Sequence, residues 1–445
     1  MPEVAPSRLS PRGFRFRSAY DGPILRLALP ALGALAAEPL YVLVDTAIVG
    51  HLGATQLAAL GLASAVLSGV YGVFTFLEYG TTAQVARADG AGERAAADAI
   101  GVQGMWLAVL MGAAVCLLAV LLARPFVVAM GAYGATATGA VTYMRIAALG
   151  LPFAVIALAG QGYLRGVSNL RAPLLVFAAG NAVNAVLEVL FVYGFHWGLR
   201  GSAWGTVLAQ LGMGAAFLRL TLRGQSLAPH WRRMLSLLRV GRHLTIRTVA
   251  ILAAFILGSA IVTREGTAPL GAHQIAFQLF IFLALVLDAI AIAGQVMVGR
   301  ALGASDERVA YDAAVRMIVL ATAIGAVAAV LLLATEPWIA AAFTDVPAVR
   351  AQVHRIWLLF ALMQPLAGAV FALDGILIGA GDTRYLMWAM VAAAAVFGVF
   401  DVAVVAFGWG LTGVWIGLVA FIAARLATLL PRFRSRRWAV LGASA

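Results

Sequence analysis

The sequence has no lysine; all 31 basic residues are arginine, which together with the abundance of alanine reads as the codon bias of a GC-rich genome. Charge of either sign is scarce, 11% of 445 residues against 63% hydrophobic, and the mean hydropathy is +0.96. No soluble domain could present such a composition to water, so the soluble globular classes are excluded. Cysteine occurs once, as Cys116 inside an apolar run, so no intrachain disulfide can form and no thiol site is suggested. The sequence contains no HExxH, no GxSxG and no GxxxxGK[ST], and its six histidines are scattered. Enzyme chemistry therefore has almost no residues to carry it, and ATP as an energy source is not expected. The glycines of GAGER, 90–94, and GASDE, 303–307, read as helix stops and not as phosphate cradles. No cofactor and no nucleic-acid partner are expected.

What the chain does contain is a series of apolar runs long enough to cross about 30 Å of hydrocarbon. They lie at 24–49, 57–83, 97–123, 135–162, 170–194, 201–221, 244–263, 270–298, 310–334, 352–379, 385–407 and 411–430, here helices 1 to 12. The expected fold class is an all-α polytopic membrane protein. Arginines gather on alternate loops: Arg8, Arg12, Arg15 and Arg17 before helix 1, Arg87 and Arg94 after helix 2, Arg165 and Arg171 between helices 4 and 5. The same side receives Arg219, Arg223, Arg232, Arg233, Arg239 and Arg242, then Arg300, Arg308 and Arg384, and finally Arg432, Arg434, Arg436 and Arg437. By the positive-inside bias both termini are cytoplasmic. The basic N-terminus reads as the start of a retained first span, not as a cleaved signal.

The chain also repeats itself. A shift of 213 residues matches Ala47-Ile48-Val49 to Ala260-Ile261-Val262, Arg87-Ala88 to Arg300-Ala301, Gly166 to Gly379 and Glu188 to Asp401. After a one-residue deletion FHWGLRG, 195–201, matches FGWGLTG, 407–413. The expected organisation is a cytoplasmic arm over 1–22, a six-helix lobe over 23–222, an inter-lobe loop over 223–242, a second six-helix lobe over 243–430 and a tail over 431–445. Two parallel repeats facing each other across a central cleft are the arrangement that alternating access requires.

Carboxylates inside the spans mark the candidate site, because burying one ionised in hydrocarbon costs about 3 kcal/mol on insertion scales. Asp45 sits in helix 1 with Glu38 two turns before it, and both have lost their counterparts in the second lobe, Gly258 and Ile251. On helix 5, Asn181, Asn184 and Glu188 share one face, and their amides and carboxylate suit a proton in a polar network or a hard cation such as sodium. On helix 6, Thr206 and Gln210 offer a hydroxyl and an amide at similar depth. Pro30 and Pro39 weaken the backbone ladder of helix 1 and would let it bend when Asp45 changes charge. Asp374, Asp288, Asp401 and Glu78 lie in other spans as candidates for the cavity or an inner gate. Tyr41, Tyr71, Phe74 and Tyr163 could stack on flat cationic substrates.

The LALP start, the VDTAIVGHLG segment, the NxxNxxLE run of helix 5 and the DGILIGAGDTR segment together resemble the multidrug and toxic compound extrusion (MATE) family, most of all its bacterial branch named for DNA-damage-inducible protein F. The resemblance covers residues 22–430. It implies a two-lobe secondary antiporter of the bacterial inner membrane, working as a monomer among membrane lipids. Such a protein exports small organic cations or amphipathic compounds in exchange for protons or sodium. It also implies that Asp45 is the main coupling residue, with Asn184, Glu188 and Thr206 beside it, and that a sodium ion, if one is used, sits at Asp45, Asn184 and Glu188. The chain departs from the family in having glutamate at 188, where aspartate is usual, and in Glu38. With Asp45 and Glu188 close together, the two would titrate as a coupled pair. A flippase for lipid-linked precursors is the alternative; it would need several basic residues inside the cavity, where only Arg247 is expected.

Overall fold

A computed structural model describes residues 18–222 and 226–443. Arg8, Arg12, Arg15, Arg17 and Arg223, on which part of the expected topology rests, lie outside the described residues. Twelve helices follow in chain order: α1 Asp21–Gly50, α2 Ala54–Gly90, α3 Arg94–Ala129, α4 Gly134–Gly166, α5 Arg171–Gly194, α6 Leu199–Thr221, α7 Trp231–Arg264, α8 Thr267–Gly303, α9 Glu307–Phe343, α10 Pro347–Gly379, α11 Thr383–Phe407 and α12 Gly410–Arg434. Among the described residues there is no strand. All but α6 are long and apolar enough to cross a membrane. Two are irregular: a 3₁₀ turn at Ala148–Gly150 interrupts α4, and α5 ends in a π turn at Leu190–Gly194.

The segment 223–242, expected as a loop, is helical from Trp231 onward. Met234, Leu237, Gly241 and Leu244 recur every three or four residues and are buried, which gives the arginine-rich stretch an apolar face. The arginines between them stay outside, and α7 is therefore nearly four turns longer than its apolar run.

The outward faces carry long apolar side chains, such as Leu117 and Leu121 on α3, Val330 and Leu331 on α9, and Val399 and Val402 on α11, all more than half exposed. Inside, the second lobe is filled by one large cluster that extends across the lobe boundary onto α1 to α4, and the first lobe also has two smaller ones of its own, around Tyr143 and around Phe217.

The lobes meet along α1 and α2 on one side and α7 and α8 on the other. At one end of the bundle, hereafter the closed end, α2 and α8 finish against each other. Gly90 has no room for a Cβ beside Arg300, nor Gly303 beside Arg87, so only glycine allows this approach. The flanking arginines then cross over: Arg87 of the first lobe donates to the Ala380 carbonyl of the second (2.9 Å), and Arg300 of the second donates to Ser168 Oγ of the first (2.6 Å). These positions are partners under the 213-residue shift, so the closed end keeps the two-fold relation of the repeats.

Candidate coupling site

In the first lobe α1, α5 and α6 converge, and Asp45, Asn184, Glu188 and Thr206 are all at most 5% exposed. A residue absent from the expected set joins them. Ser202, fully buried one turn before Thr206, places its Oγ 2.6 Å from Asp45 Oδ1 and 3.4 Å from Glu188 Oε1. One hydroxyl thus stands between carboxylates that are 143 positions apart in sequence, donating to the nearer. The glutamate reaches this point because residue 205 is glycine: a Cβ there would lie 3.0 Å from Glu188 Cγ. Tyr41 and Thr206 share a hydrogen bond of 3.0 Å, and Tyr143 from α4 borders both acids. Ser202 had a signal in the sequence, since it precedes Thr206 by four residues on one helical face; Tyr143, in an ordinary apolar run, had none.

Among the described residues, three polar atoms of this cluster are buried without a well-formed hydrogen bond: Asn184 Oδ1 and Nδ2 and Glu188 Oε2. Buried polar groups are almost always paired, so their vacant valences suit either a proton on the carboxylate or a small cation taken up among oxygens.

Other expected members lie elsewhere. Asn181 donates to the Ala37 carbonyl (2.7 Å), next to Pro39, and so ties α5 to the turn of α1 that the proline weakens. Through Pro30 and Pro39 α1 nevertheless remains one helix. Glu38 is exposed, on the side of Tyr71 in α2. Gln210 packs against Gly150 at the 3₁₀ turn of α4. Tyr163 donates to Asp98 (2.5 Å) on α3, and Phe74 is buried against Phe76.

A second polar cluster lies between the lobes. Glu78 pairs with Arg165 and accepts from Gln161 (3.2 Å); Tyr79 donates to Asp288 (3.3 Å); Asp374 receives Arg247 at 2.5 Å and pairs with Arg425. Arg165, expected in a loop, is 1% exposed because α4 extends to Gly166, and Arg425 is an intramembrane arginine that sequence reasoning missed. Three carboxylates thus meet three guanidinium groups, and formal charge cancels. Asp401 stands apart on α11, buried, with neither carboxylate oxygen partnered. No group of three or more His, Cys, Asp or Glu that could hold a metal occurs among the described residues.

Comparison with known proteins places the chain among transporters. The family model described as MatE matches residues 30–190 and 245–404. The chain is 31% identical to "Protein DETOXIFICATION 44, chloroplastic" of Arabidopsis thaliana, over 93% of this chain and 82% of that protein. It is 30% identical to "DNA damage-inducible protein F" of Escherichia coli K12, over 95% and 94% respectively. The outward-facing structure of a multidrug resistance MATE family transporter superposes with a TM-score of 0.86 at 22% identity, covering 94% of this chain and 97% of that one.

Proposed function

The chain belongs to the MatE family, a family of transporters and not of enzymes, and from that premise we propose that it is an antiporter driven by protonation or sodium binding at Asp45 and Glu188. The observation that carries this reading is the single hydroxyl of Ser202 held between two buried carboxylates from different helices. Two like charges in a site closed to water repel each other, and one added cation relieves that repulsion. While both carboxylates are ionised, α1 is held toward α5 and α6 by the Ser202 bond and by Asn181 at Ala37. Neutralising the pair weakens that hold where Pro39 has removed a backbone donor, so the outer part of α1 is free to move. A small organic cation bound to the same lobe then loses its electrostatic partner and leaves outward.

The arginine distribution supports an orientation in which the closed end, where α2, α8 and α12 finish, faces the cytoplasm of a bacterial cell across its plasma membrane. The state described is therefore closed inward, and its likeness to an outward-facing transporter agrees with that orientation. The exposed apolar faces of α3, α9 and α11 meet lipid, and one chain supplies both lobes, so a monomer suffices. The balanced charge between the lobes gives no net positive site for a pyrophosphate, which disfavours a lipid-precursor flippase.

Reconstituted protein tests the proposal through efflux of a fluorescent organic cation under an imposed proton gradient and, separately, a sodium gradient. Gradient-driven efflux that disappears in Asp45→Asn is the expected result, and the effective gradient names the ion. Efflux at the wild-type rate in Asp45→Asn would remove the coupling pair from the mechanism.

A further inference from the structure

The closed end carries a feature that the repeat does not explain. After α12 the chain turns back: Trp438 is 1% exposed, stacks on Phe433 and donates to its carbonyl (2.8 Å), and Arg436 lies over the Tyr311 ring, 4.2 Å from its centroid. These contacts pin the tail to its own lobe. Beyond them Gly442 donates its N–H to the Leu302 carbonyl at the end of α8 (3.0 Å).

From there the tail reaches the other lobe. Arg87, 2% exposed on α2, has no carboxylate partner among the described residues; carbonyls surround it instead. Its guanidinium donates to Val440 (2.6 Å), twice to Gly442 (2.9 and 3.2 Å) and to Ala380 (2.9 Å). Three of its four bonds are thus made by the tail. Gly442 has φ +105°, a conformation that other residues rarely adopt, and there one residue holds α8 by its N–H and Arg87 by its C=O. The repeat-related Arg300 is served differently, by Ser168 and by Asp89 (3.3 Å), and its side chain is 33% exposed.

We propose that residues 435–442 form a strap that locks the lobes together at the closed end, with Arg87 as the catch. While the strap is seated, Arg87 is dry and satisfied. When it lifts, Arg87 keeps only the Ala380 bond and must draw in water, which wedges α2 from α8 at the glycine contact. The strap therefore sets how often the protein opens toward the tail side, an assignment that rests on the alternating-access reading above.

The test uses the full chain with Cys116→Ser and a reporter at Ile378→Cys. Ile378 is 4% exposed and lines a cavity of about 30 Å³ between the lobes. A water-soluble maleimide added on the tail side reaches it when the closed end parts. Losing the tail's three charge-assisted bonds should raise the labelling rate at least about tenfold in a chain ending at Arg434, and full-length Arg87→Gln, which loses all four guanidinium bonds, should label at least as fast. Gly442→Val, with every charge intact, should label at an intermediate rate. Labelling of Arg87→Gln and Gly442→Val at the rate of the unaltered strap would overturn the proposal, whether or not the shortened chain folds. Failure of the antiport reading has a different signature: reporter labelling that neither Asp45→Asn nor an ion gradient alters.

Discussion

The two lobes share a backbone plan and differ in what they enclose at the same point. In the first lobe Asp45 meets Ser202, with Asn184 beside Glu188 in the same buried cluster; in the second the corresponding positions are Gly258, Val414 and Phe397, and Gly258 lies against both of the others. A Cβ on Gly258 would lie 2.9 Å from Phe397 Cζ and 3.4 Å from Val414 Cγ1. Thr206 has become Leu418 and Tyr41 has become Ala254. A polar site and a greasy plug have been built on one scaffold, and at that point of the second lobe only Asp401, the partner of Glu188, remains as a carboxylate, with no hydrogen bond among the described residues. The proposed coupling would therefore depend on the assembled set of side chains, since the carboxylate at the same depth in the second lobe has no second acid beside it.

Removing the acid that defines the difference should have the largest effect. Asp45→Asn is expected to reduce gradient-driven efflux to the level of protein-free liposomes, while downhill equilibration of substrate persists. Next in size, Ser202→Ala leaves both acids and removes the hydroxyl between them. Loss of one charge-assisted bond of about 1.5–3 kcal/mol corresponds to a fall of roughly tenfold or more in coupled efflux, and Ser202→Thr should recover part of it. The converse change, Gly258→Asp, puts the acid into the second lobe. It should create no second coupled ion, read as unchanged stoichiometry. It should also lower thermal stability in detergent, because an unpaired carboxylate is forced against Phe397 at a cost of several kcal/mol. The smallest effect belongs to Asp401→Asn, for which efflux within about twofold of wild type and an equal or higher melting temperature are expected, since no bond is lost. A loss as deep as that of Asp45→Asn would show that the lobes are functional equals.

Hydropathy located all twelve helices, because that signal is written along the chain at the scale of whole spans. Asp45, Asn184, Glu188 and Thr206 were legible for a related reason: a polar group in an apolar run stands out whatever it touches. Residue types common in packed membrane helices escaped. Ser202 looks like any small residue that lets helices approach, and Tyr143 like ordinary packing. Arg165 and Arg425 were missed because an arginine near a helix end reads as a loop residue until the neighbouring helix presents its carboxylate. Residues 231–242 were misjudged since their arginines outweigh an apolar face only four residues strong. Glu38 shows the opposite limit: two turns from Asp45 by periodicity, it nonetheless remains outside the buried set because the packed stripe of α1 shifts around Pro39.

The ion pairs between the lobes also bear on how the protein is made. Glu78 on α2 waits 87 residues for Arg165, and both belong to the first lobe. Arg247 on α7 waits 127 residues for Asp374, which must then also satisfy Arg425 on α12. During synthesis α7 enters the bilayer before either acid that neighbours its guanidinium: Asp288 follows one helix later on α8, and Asp374, which pairs with it directly, three helices later on α10. The first lobe can thus reach neutrality while the ribosome is still at work on the second. The second closes its charges only near the end of translation, and until then α7 is the segment most exposed to slipping back toward water or to surveillance by membrane proteases.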